Sequence, residues 1–430
     1  MEKRTAFPPV FWVANSIEVL ERFAYYGIYM GFAIYVSDHL GFSMSKLGVI
    51  RTIFLLFSYL IPVISGTFAD RFGFKKVLIV SYLAYLPSIL LLLLTKSYSG
   101  IVLTMLSIGL AAGIFKPLIS GTVRAVTDGT NKTLGFAIFY AMVNVGASFG
   151  PIVAGRLRVI SWNYAFGAAA VAIGLMLVIT ILFYKEPPRQ IEGVTLGRKL
   201  KDIGRTLADV RFSTFLVLLG VFFWLPFWAF FNLCALYVEK ATDTAQLYVT
   251  IRSVFGTTFA NLFSAEDENH VRHILGETIS HTGYIIMVFQ LLVSRIVEKA
   301  RPIPAFLWGL AIAAAGFVVL GLAPVSSSSL VFLGIFLFAV GEMISSPRIQ
   351  EYITWIAPKE KAGLYMGSNF LATAIGGLLS GVTYDTLYGY LEKAGHPEYV
   401  WYVLAGNVVV GIVAIYLFTK IAGEFHEQQA

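Results

Sequence analysis

Cysteine is nearly absent from this chain. Cys234 is the only one in 430 residues, so no internal disulfide and no cysteine-based metal site can be built. Charge is scarce too. Asp, Glu, Lys and Arg make up 13% of the residues, where a soluble domain carries about 25%. No phosphate-binding loop, no metal-ligand cluster and no nucleophile with a neighbouring base stands out. Neither an enzyme nor a bound cofactor or metal is therefore expected. A cleavable leader is not expected either. The first apolar run follows Pro8-Pro9 directly, contains charges and lacks a small-residue cleavage pattern, so it reads as a retained first helix.

What the chain has is apolar length. It is 57% hydrophobic and 15% aromatic, with a mean hydropathy of +0.75. The apolar segments are continuous rather than alternating, which predicts an all-α membrane protein whose solvent is the lipid bilayer. Twelve helices are expected: about Phe11–Val36, Leu47–Phe68, Val77–Leu94, Ile101–Val123, Leu134–Ala154 and Tyr164–Tyr184, then Ser213–Val238, Ile274–Val297, Ala305–Leu322, Leu330–Arg348, Gly363–Thr383 and Tyr399–Ile421. This predicts an N-terminal six-helix bundle over 1–184, a linker over 185–212 and a C-terminal six-helix bundle over 213–430.

The net charge of +7 would point to nucleic acid in a soluble protein. Here it reads as loop anchoring, and no nucleic acid is expected. With the N-terminus in the cytoplasm, the connections on that side hold most of the Lys and Arg, including Arg71, Lys75, Lys76, Arg124, Arg198, Lys201, Arg205, Arg295, Lys299 and Arg301. That bias predicts a multi-pass protein of the cell (inner) membrane with both termini cytoplasmic. Within the linker, Leu196, Leu200, Ile203, Leu207 and Val210 are spaced for an amphipathic helix. So are Leu247, Ile251, Val254, Phe255, Leu262 and Phe263 in the outer interval 239–268, read as a helix packed on the outer rim or a lid.

One helix carries the strongest anomaly. Glu18, Glu21 and Arg22 sit within a run long enough to span a bilayer, where each charge costs about 2.5–3.5 kcal/mol on insertion scales. Helical spacing puts Glu18, Glu21, Arg22, Tyr25 and Tyr29 on one stripe, which must face protein or a watery cavity. In the fourth helix Lys116 follows Gly109 and Gly113 on one face, so it can point inward. A buried Lys needs a carboxylate, and Glu18 or Glu21 is the expected partner. The alternative is a purely structural ion-pair cluster. Asp385, beside Tyr384, is read as a helix-end feature.

The segment Gly66-Thr-Phe-Ala-Asp70-Arg71-Phe-Gly73-Phe-Lys75-Lys76 resembles the cytoplasmic loop signature of the major facilitator superfamily. Gly66, Asp70, Arg71 and Gly73 would then stabilise one conformation of a rocking machine. Four further stretches resemble signatures of the proton-dependent oligopeptide transporters. They are Glu18-x-x-Glu21-Arg22-Phe23-x-Tyr25-Tyr26-Gly27, Gly113-Ile-Phe-Lys116-Pro117, Phe139-Tyr140-x-x-Val-Asn144-x-Gly146, and Gly341-Glu342-x-x-x-Ser346-Pro347.

The resemblance implies alternating access by two halves, with Glu18, Glu21, Arg22 and Lys116 coupling proton movement to the uptake of a small organic solute. A monomer is expected. It makes Glu342 a contact for a substrate amino group. Tyr25, Tyr29, Lys116, Asn144, Asn232 and His281 complete the expected substrate-facing set. His281 also fits a hydrogen-bonded helix end, and the asparagines also fit helix pinning.

Two positions depart from the family pattern. Its members usually carry Arg seven residues after the first-helix Arg, and here that residue is Tyr29. They also usually carry a Glu in the seventh helix, where this chain has no acid before Glu239 and offers Asn232 or Trp228. A proton-coupled exporter of amphipathic compounds is one alternative, approached by Gly146-x-x-x-Gly150-Pro151. A membrane receptor or scaffold without flux is another.

Overall fold

The computed structural model of the chain describes residues 6–128, 131–187, 196–355 and 362–422. Helix 1 is Pro9–Ile34 and runs on as a π turn, Tyr35–His39. Helix 2 is Met44–Leu60 and Pro62–Phe72, helix 3 Phe74–Leu94, helix 4 Tyr98–Ala125, helix 5 Lys132–Ile160 and helix 6 Trp162–Phe183. A linker helix, Leu196–Leu207, follows. Helix 7 is Val210–Leu219 and Leu225–Ala241, joined by the π turn Gly220–Trp224. Helix 8 is Gly276–Ile279 and Gly283–Val297, helix 9 Pro302–Ser326 and helix 10 Leu330–Trp355. Helix 11 is Ala362–Ser380, the π turn Gly381–Asp385 and Thr386–Lys393. Helix 12 is Tyr399–Ile421.

Ten of these are long and apolar enough to cross a membrane. The other two are helix 1, with its three charges, and helix 11, which begins beside residues outside the description. The twelve helices form two six-helix bundles. We call the face where helix 1 starts and helix 12 ends the near face, and the opposite one the far face.

Prolines interrupt several helices, and four of the carbonyls they free are met by a donor from a neighbouring helix. A proline leaves the carbonyl four residues earlier without its helical N–H, which in lipid needs another donor. Pro117 frees the Gly113 carbonyl, and the Ser65 hydroxyl of helix 2 donates to it at 3.3 Å. Pro324 frees Leu320, which accepts from the Tyr237 hydroxyl at 2.9 Å. Pro347 frees Met343, which accepts from Gln290 Nε2 at 3.4 Å. Pro62, at the break in helix 2, frees Ser58, and the donor there is Lys116 Nζ at 3.3 Å.

Small residues set the tightest seams. A Cβ on Gly146 would overlap the Val19 carbonyl oxygen, and one on Gly150 the Phe23 carbonyl oxygen, so helices 1 and 5 pack backbone to backbone. The same holds between the bundles, where a Cβ on Gly48 of helix 2 would overlap the Gly381 carbonyl oxygen of helix 11.

At the near face Gly73 joins helices 2 and 3 with φ 98°, a backbone region that favours glycine. Arg71 is exposed, its guanidinium 5.2 Å from the Phe72 ring. Gly66 lies in the last turns of helix 2, and the Asp70 side chain is outside the description. The start of helix 3 is capped by Glu186, which accepts from the backbone N–H of Phe74 at 2.7 Å and Lys75 at 3.0 Å. Lys75 in turn caps the Ile181 carbonyl at the end of helix 6 at 2.9 Å.

The outer interval departs from the expected single amphipathic helix. It forms two short helices, Thr244–Phe255 and Thr257–Leu262, and then a hairpin of β1 (Ser264–Glu266) and β2 (Arg272–Ile274) in antiparallel register. Leu247, Ile251 and Phe263 are buried as expected, but Val254, Phe255 and Leu262 are exposed. The Phe255 ring lies 5.5 Å from Phe332 of helix 10, so the segment packs on the rim. The linker helix lies against helix 11, with Ile203 buried and Leu200 exposed.

Candidate functional site

Helix 1 carries the charged stripe into the interior. Glu18 is 1% exposed, Glu21 0% and Arg22 9%. Arg22 Nε donates to Glu18 Oε1 at 2.7 Å and lies 3.1 Å from Glu21 Oε2. One guanidinium therefore serves two carboxylates, and neither Glu21 oxygen has a hydrogen-bond donor. Among the cluster's members Glu21 is the charge that its surroundings compensate least.

Lys116 does not make the expected ion pair with Glu18 or Glu21. Its ammonium donates to the Ser58 carbonyl and sits 3.6 Å from the Tyr59 ring centroid and 5.1 Å from that of Tyr25. The reason lies in the sequence. Pro62 supplies a free carbonyl within reach, and Arg22, only four residues from Glu18 on the same helix, already occupies the acids. The arrangement leaves a cation held by a carbonyl and two π faces, next to a pair of acids sharing another cation.

A second group forms between the bundles. The Tyr29 hydroxyl donates to Asn232 Oδ1, and Asn232 Nδ2 donates to Ser380 at 3.3 Å, linking helices 1, 7 and 11. Tyr29 packs on Tyr25, Phe54 and Trp228 at centroid distances of 5.8, 5.5 and 6.0 Å. His281 is buried, accepts from the Gly283 N–H at 2.9 Å and meets Tyr26 across the bundles at 4.4 Å. It stands between Gly276–Ile279 and Gly283–Val297 and faces Tyr26 of the other bundle. Glu342 accepts from Thr282 at 2.8 Å, whereas Arg348 pairs with Glu351 at 2.7 Å. Asn144 Nδ2 donates to Tyr140 on its own helix at 2.9 Å.

The third group is one that the sequence reading passed over. Arg51 of helix 2 and Asp385 of helix 11 are both fully buried, and Arg51 Nη1 donates to both carboxylate oxygens, at 3.1 and 3.2 Å. Asp385 is not a helix-end feature, because helix 11 continues past it through a π turn. Arg158 of helix 5 donates to Glu239 of helix 7, at 2.6 and 2.8 Å, and to Glu277 of helix 8. Lys240 bridges Asp38 at 2.8 Å and Glu392 at 3.3 Å. These bridges tie the bundles together on the far side. The sequence carries a signal for the first, since Arg51 is a charge inside an apolar span and such a charge needs a partner.

Relatives of known name agree on the architecture. The chain is 23% identical over 402 residues to the quinolone resistance protein NorA of Staphylococcus aureus, covering 92% of each. It is 25% identical over 424 residues to dipeptide and tripeptide permease A of Citrobacter koseri, covering 87% of this chain and 84% of that one. Among solved structures, a POT family transporter in complex with 5-aminolevulinic acid superposes with a TM-score of 0.73 at 20% identity, over 95% and 96% of the chains. The nucleoside transporter NupG gives 0.74 at 13% identity, over 95% and 99%. Residues 16–381 match the model of the Major Facilitator Superfamily, and the chain belongs to that superfamily of membrane transporters.

Proposed function

We propose that this protein is a proton-coupled symporter that takes a small organic solute across the inner membrane by alternating access. The observation that carries the reading is the buried set on helix 1, where Arg22 holds Glu18 and Glu21 while Lys116 stands by on helix 4 without an acid of its own. Protonation of either carboxyl releases Arg22 from part of its partnership, and loss of that proton restores it. The solute would lie between the bundles, against Tyr25, Tyr29, Tyr26, His281, Asn232 and Glu342. The Lys and Arg bias assigns the near face to the cytoplasm, so the far-side bridges close the outer entrance. The similarity to a permease for di- and tripeptides supports an organic solute carrying an amine or carboxylate. The protein acts as a monomer in this reading.

A second reading is proton-coupled export of an amphipathic aromatic compound. Tyr29 and Asn232 form a neutral bond beside Trp228 and Phe54, and a quinolone resistance protein is among the relatives. The two readings separate in proteoliposomes with an imposed pH gradient. Uptake predicts that di- or tripeptides draw protons inward together with solute. Export predicts that a quinolone leaves against an inward proton flow while peptides do nothing. Flux of every solute indifferent to the gradient would contradict both.

A further inference from the structure

The described residues leave a cavity of about 390 Å³ at the far face, outside the groups above. It lies where the ends of helices 1 and 3 meet the corner between helices 5 and 6. Tyr35, His39, Lys96, Arg158, Trp162 and Asn163 line it, and no carboxylate does. Hydrogen-bond donors are left over there. Lys96 makes no ion pair among the described residues. Arg158 uses Nε and Nη2 on Glu277 and Glu239, which leaves Nη1. The Trp162 ring lies 5.4 Å from the Arg158 guanidinium and 5.1 Å from the Tyr35 ring, and its indole N–H has no acceptor among the described residues.

We infer that this cavity binds the phosphate of an anionic phospholipid headgroup from the far leaflet. Residues that carry an ammonium, a guanidinium and an indole N–H line one space. That set matches a phosphate, which offers several acceptor oxygens and a negative charge. The surroundings favour a lipid over a soluble phosphate. The cavity sits at the ends of membrane helices, at headgroup height, with Tyr and Trp as in an interfacial belt. Leu94 and Ile160 beside it are 80% and 72% exposed, an apolar rim along which acyl chains can lie.

Arg158 gives the site a consequence for the transport cycle. While the bundles are closed on the far side, its charge is met by Glu239 and Glu277 of the other bundle. When the bundles part, those acceptors leave and a phosphate in the cavity takes their place. A ligand that binds one state better shifts the balance toward it, so the headgroup favours the parted state.

The test uses the full chain in nanodiscs of phosphatidylglycerol and phosphatidylcholine, with lipid retention read by native mass spectrometry. Wild type and Lys96→Arg should retain one phosphatidylglycerol that Lys96→Ala binds roughly tenfold more weakly, the effect of one charge-assisted bond. Equal retention by all three would overturn the site. Spin labels at Ser99 and His396, with Cys234 replaced by Ala, should move apart when phosphatidylglycerol is added to wild type but not to Lys96→Ala. No movement in either would overturn the linkage to Arg158. In delipidated protein, inorganic phosphate or glycerol phosphate should fail to protect Lys96 from an amine reagent. Protection equal to that by phosphatidylglycerol would overturn the lipid as source.

Discussion

The Tyr29 hydroxyl donates its hydrogen bond to Asn232, joining helix 1 to helix 7. Tyr29 stands where the oligopeptide-transporter pattern usually has Arg, and Asn232 is one of the two residues, with Trp228, that the seventh helix offers in place of that pattern's Glu. The two departures meet in one place, a neutral hydrogen bond between the bundles with Phe54 and Trp228 packed on the Tyr29 ring. Tyr29→Phe and Asn232→Leu should each lower stability by about 1 kcal/mol, and the double variant should lose less than the sum, with a coupling of about 0.5–1.5 kcal/mol. Thermal unfolding in detergent measures this. Additive losses would mean that the two residues act separately.

Arg51 and Asp385 lie fully buried between helices 2 and 11. Removing one leaves the other as an uncompensated buried charge, a cost of about 3–5 kcal/mol. Asp385→Asn should therefore weaken the far-side closure, seen as faster reaction of a far-face cysteine with a membrane-impermeant thiol reagent. The double variant Arg51→Met/Asp385→Leu, with no charge left over, should recover much of the lost stability. If it is as unstable as the singles, the pair is not what holds these helices.

Two glycine seams differ in what they join. Gly146 packs helix 5 on helix 1 within one bundle, while Gly48 packs helix 2 on helix 11 between bundles. Gly146→Val should lower melting stability by roughly 1–3 kcal/mol through overpacking. Gly48→Val has another outlet, because the bundles can part. It should leave melting nearly unchanged and shift the protein toward the far-open state, as read by spin-label distances. Equal melting losses would show the bundles to be fixed on each other.

The hairpin on the far face carries a pH dependence. The backbone N–H groups of Val271, at 2.8 Å, and Asn269, at 2.9 Å, hold the Asp267 carboxyl below its ordinary value. A lowered value means that the stabilisation is present above the unfolded value, about pH 4, and is lost as pH falls through the folded one. The protection of amides in residues 264–274, taken relative to their intrinsic exchange rate, should fall below about pH 4, and Asp267→Asn should lose this pH dependence. Protection in wild type that stays constant down to pH 3 would contradict it.

Twelve helices were legible because a span needs an unbroken apolar run, and charge spacing alone placed Glu18, Glu21 and Arg22 on one buried face. The hairpin at 264–274 was not legible. Its strands are three residues each, too short for alternation to register. The hold on Lys116 was missed because its partner is a backbone carbonyl, which no side-chain pattern announces. Its trace in the sequence is Pro62, four residues after Ser58. Arg51 and Asp385 are 334 positions apart, and only the topology brings them together. Counting the unmatched charges within spans would have named them as candidates.

The central claim is that the helix 1 cluster couples protons to solute movement. It is tested most directly by solute-driven proton influx into proteoliposomes, comparing wild type with Glu21→Gln. The probes are a mixture of di- and tripeptides and, separately, a quinolone. Wild type should move protons with whichever probe it carries. Glu21→Gln should lose that proton movement while still exchanging the same solute across the membrane at equal pH. Proton movement in Glu21→Gln that still follows solute as in wild type would contradict the claim.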